Sequence, residues 1–453
     1  MLILSNAEIV KCFQYLNEQE LAALESMNSR FLKASRVDWV WRNLYLKRWQ
    51  FCNRKTDKVG RNEYIQRHMT ERGLVEGRAG QYDVKACRGH ADYIKCMKLC
   101  KGKLATTSHD GTVQLYDSGV GGRRPLVKLE LSAPPTAMDY DGARLVAADA
   151  NGNILFWSQG EPEKGVQQMA GQHNQGVSCL VLHGDLLFSG GISGDVGIWS
   201  FETLNRTHTF WNFNHQIKQI LVIPEDRIVV VCNEGLKVWS IEHEKILGEF
   251  QLITSQQQFG PFGAFTTGSG SLGCFIRRGK IILVTQDGEI QEFDIPKSKE
   301  GENTLPQMLV SRTWSFRAPS NQMQYDFWQR QDVRLTAVDC SEKHIAFGRF
   351  DGSVALFELS TLRQLYCTQG EKGPVNCVKV DDFKVISAHS NLCIKVWDLI
   401  NGTPLYTLLG GSIQIYQQSP QHPSLQGVSL LDYDDTKICA AMASIARVYN
   451  FEL

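Results

Sequence analysis

One phrase recurs along most of the chain: a tight polar turn followed by alternating apolar residues and closed by an aromatic. Its copies are HDGTVQLYD at 109, ANGNILFWS at 150, SGDVGIWS at 193, NEGLKVWS at 233, QDGEIQEFD at 286, FDGSVALFE at 350, SNLCIKVWD at 390 and SIARVYNFE at 444. Upstream of each stands a second alternating run: KLATTS, RLVAADA, LLFSGG, RIVVVC, KIILVT, HIAFG, KVISAH and KICAAMA. Period-two alternation is the pattern of a half-buried strand, and Asp-Gly or Asn-Gly between two such runs marks a hairpin, because glycine supplies positive φ without steric cost. The copies recur at close to 40 residues, a period that belongs to radially repeated β-meanders. The spacing widens for the fifth and sixth copies, which places insertions at 251–274 and 297–332. Within these, GSGSLG and PKSKEGENTLP read as solvent-exposed loops.

The repeats resemble the WD-repeat family. The third copy carries the family's phrase in GQH at 171–173, Ser189, Asp195 and Trp199, and the first in Gly89-His90, Thr107 and Asp110, with Tyr116 where the family has tryptophan. The resemblance implies a hydrogen-bonded network inside each blade, which makes His90 and His173 structural rather than catalytic or metal-binding. Asp110, Asp195, Asp287 and Asp351 recur at a turn position, which also favours structure over catalysis. From residue 245 to 358 the resemblance rests on periodicity alone.

The chain ends at Leu453, directly after the third strand of the last repeat. An outer strand for that sheet must come from elsewhere, and YDVKAC at 82–87 fits. Joining first and last elements in one sheet removes exposed edges, the physical reason for closing a propeller. The expectation is eight blades, with seven the alternative if a degenerate copy folds as an insertion.

Ahead of the repeats the period changes to that of helices. Ser5-Asn6-Ala7-Glu8, Asn17-Glu18-Gln19-Glu20 and Ser35-Arg36-Val37-Asp38 each place a carboxylate three residues after a capping side chain, the pattern of a capping box. Ile9, Phe13 and Leu16 share one face of the first helix, Leu21, Leu24 and Met27 of the second, and Val37, Trp41 and Leu44 of the third. So short a three-helix unit falls below the roughly 70–80 residues at which a core stands without a staple. It either packs as a self-contained cap or leaves apolar surface for a partner.

These residues resemble the F-box family, with Leu4 at the start, Ile9, Phe13 and Leu16 in the first helix, Glu20-Leu21 opening the second, Asn28-Ser29-Arg30-Phe31 following, and Val40-Trp41-Arg42-Asn43-Leu44 at the end. Ser5 stands where the family has proline and Phe31 where it has tryptophan; the apolar spacing is retained. RNEYIQRHMTERG at 61–73, capped by Gly73, resembles the linker helix of F-box/WD-repeat proteins. The reading is therefore a multidomain chain, α then all-β: F-box at 1–50, helical linker at 51–80, WD-repeat β-propeller at 81–453.

The resemblance implies the substrate receptor of an SCF-type ubiquitin ligase, docked on a Skp-family adaptor and through it on the cullin and RING subunits. Leu4, Ile9, Phe13, Leu16 and Leu21 would form the adaptor face. Lys95, His109, Lys218, Arg349 and His389 stand at positions that line the top of such propellers and are the candidate target-binding residues, the target being a protein, phosphorylated or not. One arginine among them is not the cluster with which relatives read phosphate. The alternative is a WD-repeat scaffold without a ligase role.

Composition narrows the classes. The 48 Lys+Arg balance 48 Asp+Glu, which argues against nucleic-acid binding through a bulk basic field. MLILSNAEIV lacks the basic start and apolar run of a signal peptide, and QILVIPEDRIVVVC is broken well short of the roughly 18 apolar residues of a span, so neither secretion nor a membrane is expected. The 13 cysteines are scattered singly without a ligand grouping, as in a reducing compartment, cytoplasm or nucleus. No cofactor, metal or catalytic site is expected. In VDWVWRNLYLKRWQF at 37–51, Trp41 should belong to the third helix's core, Trp49 and Phe51 to the exit toward the linker, with Trp39 off the inward stripe.

Overall fold

The computed structural model describes Trp41 and residues 83–451, except 119–123, 170–172, 212–214, 225, 253–257, 261–262, 266–270, 287, 297–307, 316–333, 382, 410–426 and 435. The F-box residues Leu4, Ile9, Phe13, Leu16 and Leu21, and Trp39, Trp49 and Phe51, lie outside the described residues. Trp41 is helical and buried. The chain divides into two compact units, one made of residues 1–83, 435–437 and 451–453, the other of 84–434 and 438–450.

Among the described residues the second unit contains eight four-stranded antiparallel sheets. Their first strands are Ile94–Cys100, Pro135–Tyr140, Val177–His183, Ile217–Ile223, Ser271–Arg277, Leu335–Cys340, Val375–Val380 and Val428–Tyr433, which number the blades one to eight. Each of these strands touches the first strand of the next blade, and the eighth touches the first, so the series closes. The second and third strands of every blade are the alternating runs and recurring phrases read from the sequence. In blades one, two, three, five and six a glycine at φ between 81° and 88° makes the turn between them. In blade seven Leu392 takes φ 70°, a conformation that costs a side chain energy.

Closure follows the expected route. Asp83–Cys87 pairs with Ile445–Asn450, the third strand of blade eight, and supplies its outer strand. Apolar clusters fill the spaces between blades. Val229, Val231 and Leu236 of blade four pack with Cys274, Ile281 and Phe293 of blade five; Cys87, Cys439 and Val448 of blade eight pack with Leu104 and Tyr116 of blade one. Burial of such side chains, at about 25 cal/mol per Å² of apolar surface, is the main stabilising contribution between blades.

Two expectations are corrected. Ser271, Leu272 and Gly273, read as part of an exposed loop, open the first strand of blade five, with Ser271 5% exposed. The insertion at 297–332 contains the outer strand Val310–Ser315 of that blade, whose alternation is short enough to be lost in polar surroundings. The segment 251–274 also holds a small hairpin, Gln258–Gly260 with Gly263–Phe265.

Candidate protein-interaction face

All eight first strands begin alike. A buried residue is followed by one extra residue, out of register with the second strand, so that each carries a bulge at the same place. The extra residues are Lys95, Thr136, Ser178, Lys218, Leu272, Thr336, Asn376 and Ser429, one per blade. A bulge re-aims its side chain away from the ladder, and four of these side chains reach the following blade. Ser178 Oγ donates to Ile217 O, Lys218 Nζ to Ser271 O at 3.1 Å, Thr336 Oγ1 to Val375 O at 2.6 Å, and Asn376 Nδ2 to Val428 O at 2.9 Å. In each case the acceptor is the residue that opens the next first strand. The bulge is therefore a fastening point between blades.

This sorts the sequence candidates. Lys218 is tied down by its bond to Ser271 O, and burial lowers its pKa. Lys95 occupies the same position in blade one with an exposed side chain that forms no bond among the described residues. His109 stacks on Tyr93 with ring centroids 3.9 Å apart, and the Tyr93 hydroxyl bonds its Nε2. Arg349 ends the second strand of blade six with Nη1 3.4 Å from Cys367 Sγ. His389 is fully buried, so it belongs to the interior of blade seven rather than to its surface. The five stand in blades one, four, six and seven and form no cluster.

Inside the blades the networks take three forms. In blade three His173 Nε2 lies 2.7 Å from Ser189 Oγ, which also accepts from Trp199 Nε1 at 2.7 Å, and His173 Nδ1 lies 2.6 Å from the Asp195 carboxylate. Arg206 adds a contact to Asp195 at 3.0 Å. Burial pushes Asp195 up, but bonds from His173 and Ser193 and the Arg206 guanidinium outweigh it and hold the carboxyl well below the usual range. Asp195 is the first residue of its strand, not a turn residue like Asp110, so the expected common position is corrected; the Ser193-Gly194 order has moved the carboxylate two residues on.

In blade one His90 Nε2 meets Thr106, not Thr107, at 2.8 Å, and Nδ1 meets Asp110 at 3.2 Å. Adjacent strand residues face opposite ways, and the Thr107 hydroxyl accepts instead from Cys96 N. Burial lowers the His90 pKa against the opposing pull of Asp110. In blade seven, where Glu371 stands in the place of the family's histidine, His389 supplies the imidazole from the end of the second strand. Its Nε2 lies 2.9 Å from Ser387 Oγ, the acceptor for Trp397 Nε1 at 2.8 Å.

A second set of inter-blade bonds escaped the sequence reading. Asp139, Asp339 and Asp432 hold the same register in their first strands and accept from the backbone N–H of Leu182, Val380 and Leu99 in the following blades at 2.8, 2.9 and 2.7 Å. Asp139 also takes the Lys98 ammonium of blade one. The signal was available in PTAMD, LTAVD and VSLLD, an aspartate recurring at the fifth position of the strand. These carboxylates satisfy amide groups that an inner strand edge would otherwise leave unpaired.

Among the described residues, the histidines and aspartates of these networks bond to side chains and backbone groups of their own blade or the next. No group of three or more potential metal ligands occurs among the described residues. Burial raises the thiols of Cys179, Cys274 and Cys340 to about 12, far from a reactive thiolate.

A family model described as WD domain, G-beta repeat matches residues 82–117, the closing strand and the first three strands of blade one. Eight four-stranded sheets closed in a ring make the described residues an eight-bladed β-propeller, and the match identifies a WD repeat at its first blade. The Zinc finger CCCH domain-containing protein 59 of Arabidopsis thaliana is 26% identical over 163 residues, covering 27% of this chain and 34% of that protein. The chain thus spans about a third of the length of the curated relative it matches. Two solved structures share the fold: the computationally designed Ika8 protein, with TM-score 0.59 and 17% identity over 81% of this chain and 98% of the other, and Sqt1 of Saccharomyces cerevisiae, with TM-score 0.61 and 11% identity over 82% and 97%.

Proposed function

We propose that the chain is the substrate-recognition subunit of an SCF-type E3 ubiquitin ligase, its F-box docking on a Skp-family adaptor and its propeller holding the protein to be ubiquitinated. The observation that carries this reading is the order of the segments. Three capped amphipathic helix phrases with the apolar spacing of an F-box precede the strand Asp83–Cys87 that closes the propeller. The helical, 4% exposed Trp41 suits the F-box phrase Val40-Trp41-Arg42-Asn43-Leu44.

The receptor does no chemistry of its own in this reading. It raises the effective concentration of a target lysine near a charged ubiquitin-conjugating enzyme. The bulge residues and turns of the propeller are the face offered to the target, with Lys95 the candidate cation left free for it. The protein would act in the cytoplasm, the nucleus or both.

The test is co-purification of the adaptor and cullin with the intact chain, with a Leu16→Glu/Leu21→Glu variant and with a chain lacking residues 1–50. Loss of both partners from the two altered chains, in preparations whose propeller unfolds as before, is the expected result. A chain that never captures adaptor or cullin is a WD-repeat scaffold without ligase duty.

A further inference from the structure

Three short segments of blades two and three form one continuous surface. They are the turn at 149–153, the inter-blade connection at 173–176 and the turn at 191–194. A Cβ on Gly152 would meet His173 O at 2.5 Å and Gln175 O at 2.9 Å; one on Gly176 would meet Ala150 O at 2.9 Å and Ile192 Cδ1 at 3.0 Å. Ile192 N donates to Gly176 O at 2.9 Å. The backbones are thus in van der Waals contact, and glycine is what allows the approach.

The exposed side chains here are Ala150, Asn151, Asn174, Gln175 and Ile192, none of them ionisable. The ionisable residues of these segments, and Asp195 directly after the last of them, are buried and engaged. Asp149 accepts from Ser132 Oγ and Asn153 Nδ2 at 2.6 and 3.0 Å, and His173 and Asp195 face one another. The carboxamides of Asn151, Asn174 and Gln175 form no hydrogen bond among the described residues. Ile192, 38% exposed, is an apolar contact in their midst. On either side charge returns, with Lys95 in blade one and the His215–Glu234 pair in blade four.

We propose that this platform docks an extended, uncharged segment of a protein partner. A charged ligand would find no counter-charge and would lose hydration without compensation. A peptide backbone meets its own chemistry, because each carboxamide offers both a donor and an acceptor of the amide type. The isoleucine covers an apolar side chain between those contacts. Backbone contact through the two glycines fixes the platform beforehand, so little ordering opposes binding. The proposal rests on the reading that the propeller binds a protein target and is independent of the ligase role.

The test uses the full-length chain against a phage-displayed library of random, unphosphorylated linear peptides, with selected peptides then titrated by fluorescence anisotropy. Peptides near zero net charge are expected. Ile192→Asp and the double variant Asn174→Asp/Gln175→Glu should each weaken them at least about tenfold, whereas a charge reversal at the exposed Lys372 of blade seven, Lys372→Glu, and a rise in salt from about 0.05 to 0.5 M should leave them unchanged. Thermal unfolding of each variant checks that the propeller is intact. Acidic peptides that depend on Lys95, neutral peptides indifferent to the platform variants, or no retained peptide at all would overturn the proposal. Adaptor capture by the same preparations reports separately on the ligase reading.

Discussion

His389 and Ser387 stand two residues apart on one strand, and the imidazole Nε2 lies 2.9 Å from the serine hydroxyl that also receives the Trp397 indole. Blade seven therefore builds the same His-Ser-Trp trio as blade three, although its histidine enters from the second strand instead of the connection before the blade. Residues two apart in a strand share a face, which is why the substitution works. Glu371, in the vacated place, pairs instead with Lys395 at 2.7 Å.

This geometry has a pH signature. Burial, reinforced by Lys395 and opposed by Glu371, depresses His389 from 6.5 to about 4. Between these values the unfolded chain binds the extra proton, so the stability held by the neutral imidazole is present above about pH 6.5 and is lost as pH falls toward 4. The full difference is on the order of 3 kcal/mol at about 1.4 kcal/mol per unit. Urea unfolding across this range should show a decline that is shallower in His389→Gln; equal slopes would remove His389 from the account.

Asp195 is buried without exposure, against His173 and Arg206. Asp195→Ala leaves both groups facing a cavity, and breaking a buried pair from one side costs about 3–5 kcal/mol. Denaturant midpoints measure this, and Asp195→Asn should recover part of the loss because the amide oxygen still accepts. Asp110 of blade one, part-exposed and bonded to Thr112, should cost less when replaced by alanine.

The architecture was legible because its signals are local. Turn glycines and period-two runs lie within a dozen residues of each other, and each meander is one such unit. Even the closing strand could be read, since the last repeat lacked a partner. Side-chain placement at the face was another matter. His389 looked like a surface residue from its place before a turn, yet the missing histidine at Glu371 drew it inward. Thr106 and Thr107 are neighbours of one residue type that differ only in the direction they face, and the structure gives the His90 bond to Thr106. Lys95 and Lys218 were indistinguishable in sequence; the backbone oxygen of Ser271 separates them. Inter-blade bonds join residues far apart in the chain, 41 and 43 positions for Asp339 and Asp139 and 333 for Asp432, beyond any local pattern, and only the recurrence of these aspartates hinted at them.

The bulge fasteners predict a contrast between positions of equal sequence rank. Thr336→Val keeps the shape and removes the bonds to Gly348 O and Val375 O, a loss of about 1–2 kcal/mol. Lys95→Met should stay within about 0.5 kcal/mol of the native chain, as an exposed side chain without a partner. Comparable losses at both sites in thermal unfolding would mean that the bulge residues do not fasten blades.

Asp139 joins three blades, accepting from Leu182 N of blade three and Lys98 of blade one. Asp139→Ala strands the Leu182 amide, and an unsatisfied buried donor costs about 1–3 kcal/mol. Lys98 is 43% exposed and can return to water, so its share is small. Hydrogen exchange at Leu182 should quicken in the variant, while the corresponding amide of Val380, held by Asp339, keeps its rate.

Closure can be probed at Cys87, 2% exposed at the end of the strand that completes blade eight, with its thiol pushed up to about 11 by burial. It belongs to the cluster that packs Cys439, Ala441 and Val448 of blade eight with Ile94, Leu104 and Tyr116 of blade one. Cys87→Asp would put a carboxylate there, with a desolvation cost of several kcal/mol. The first and last elements of the ring are joined through this sheet, so weakening it exposes a strand edge. Limited proteolysis should then cleave between Cys87 and Ile94 sooner than in the native chain. Cys87→Ala, close in size and uncharged, should leave the cleavage rate nearly unchanged. Equal protection of Cys87→Asp and the native chain would show that closure does not depend on this strand's seat between blades eight and one.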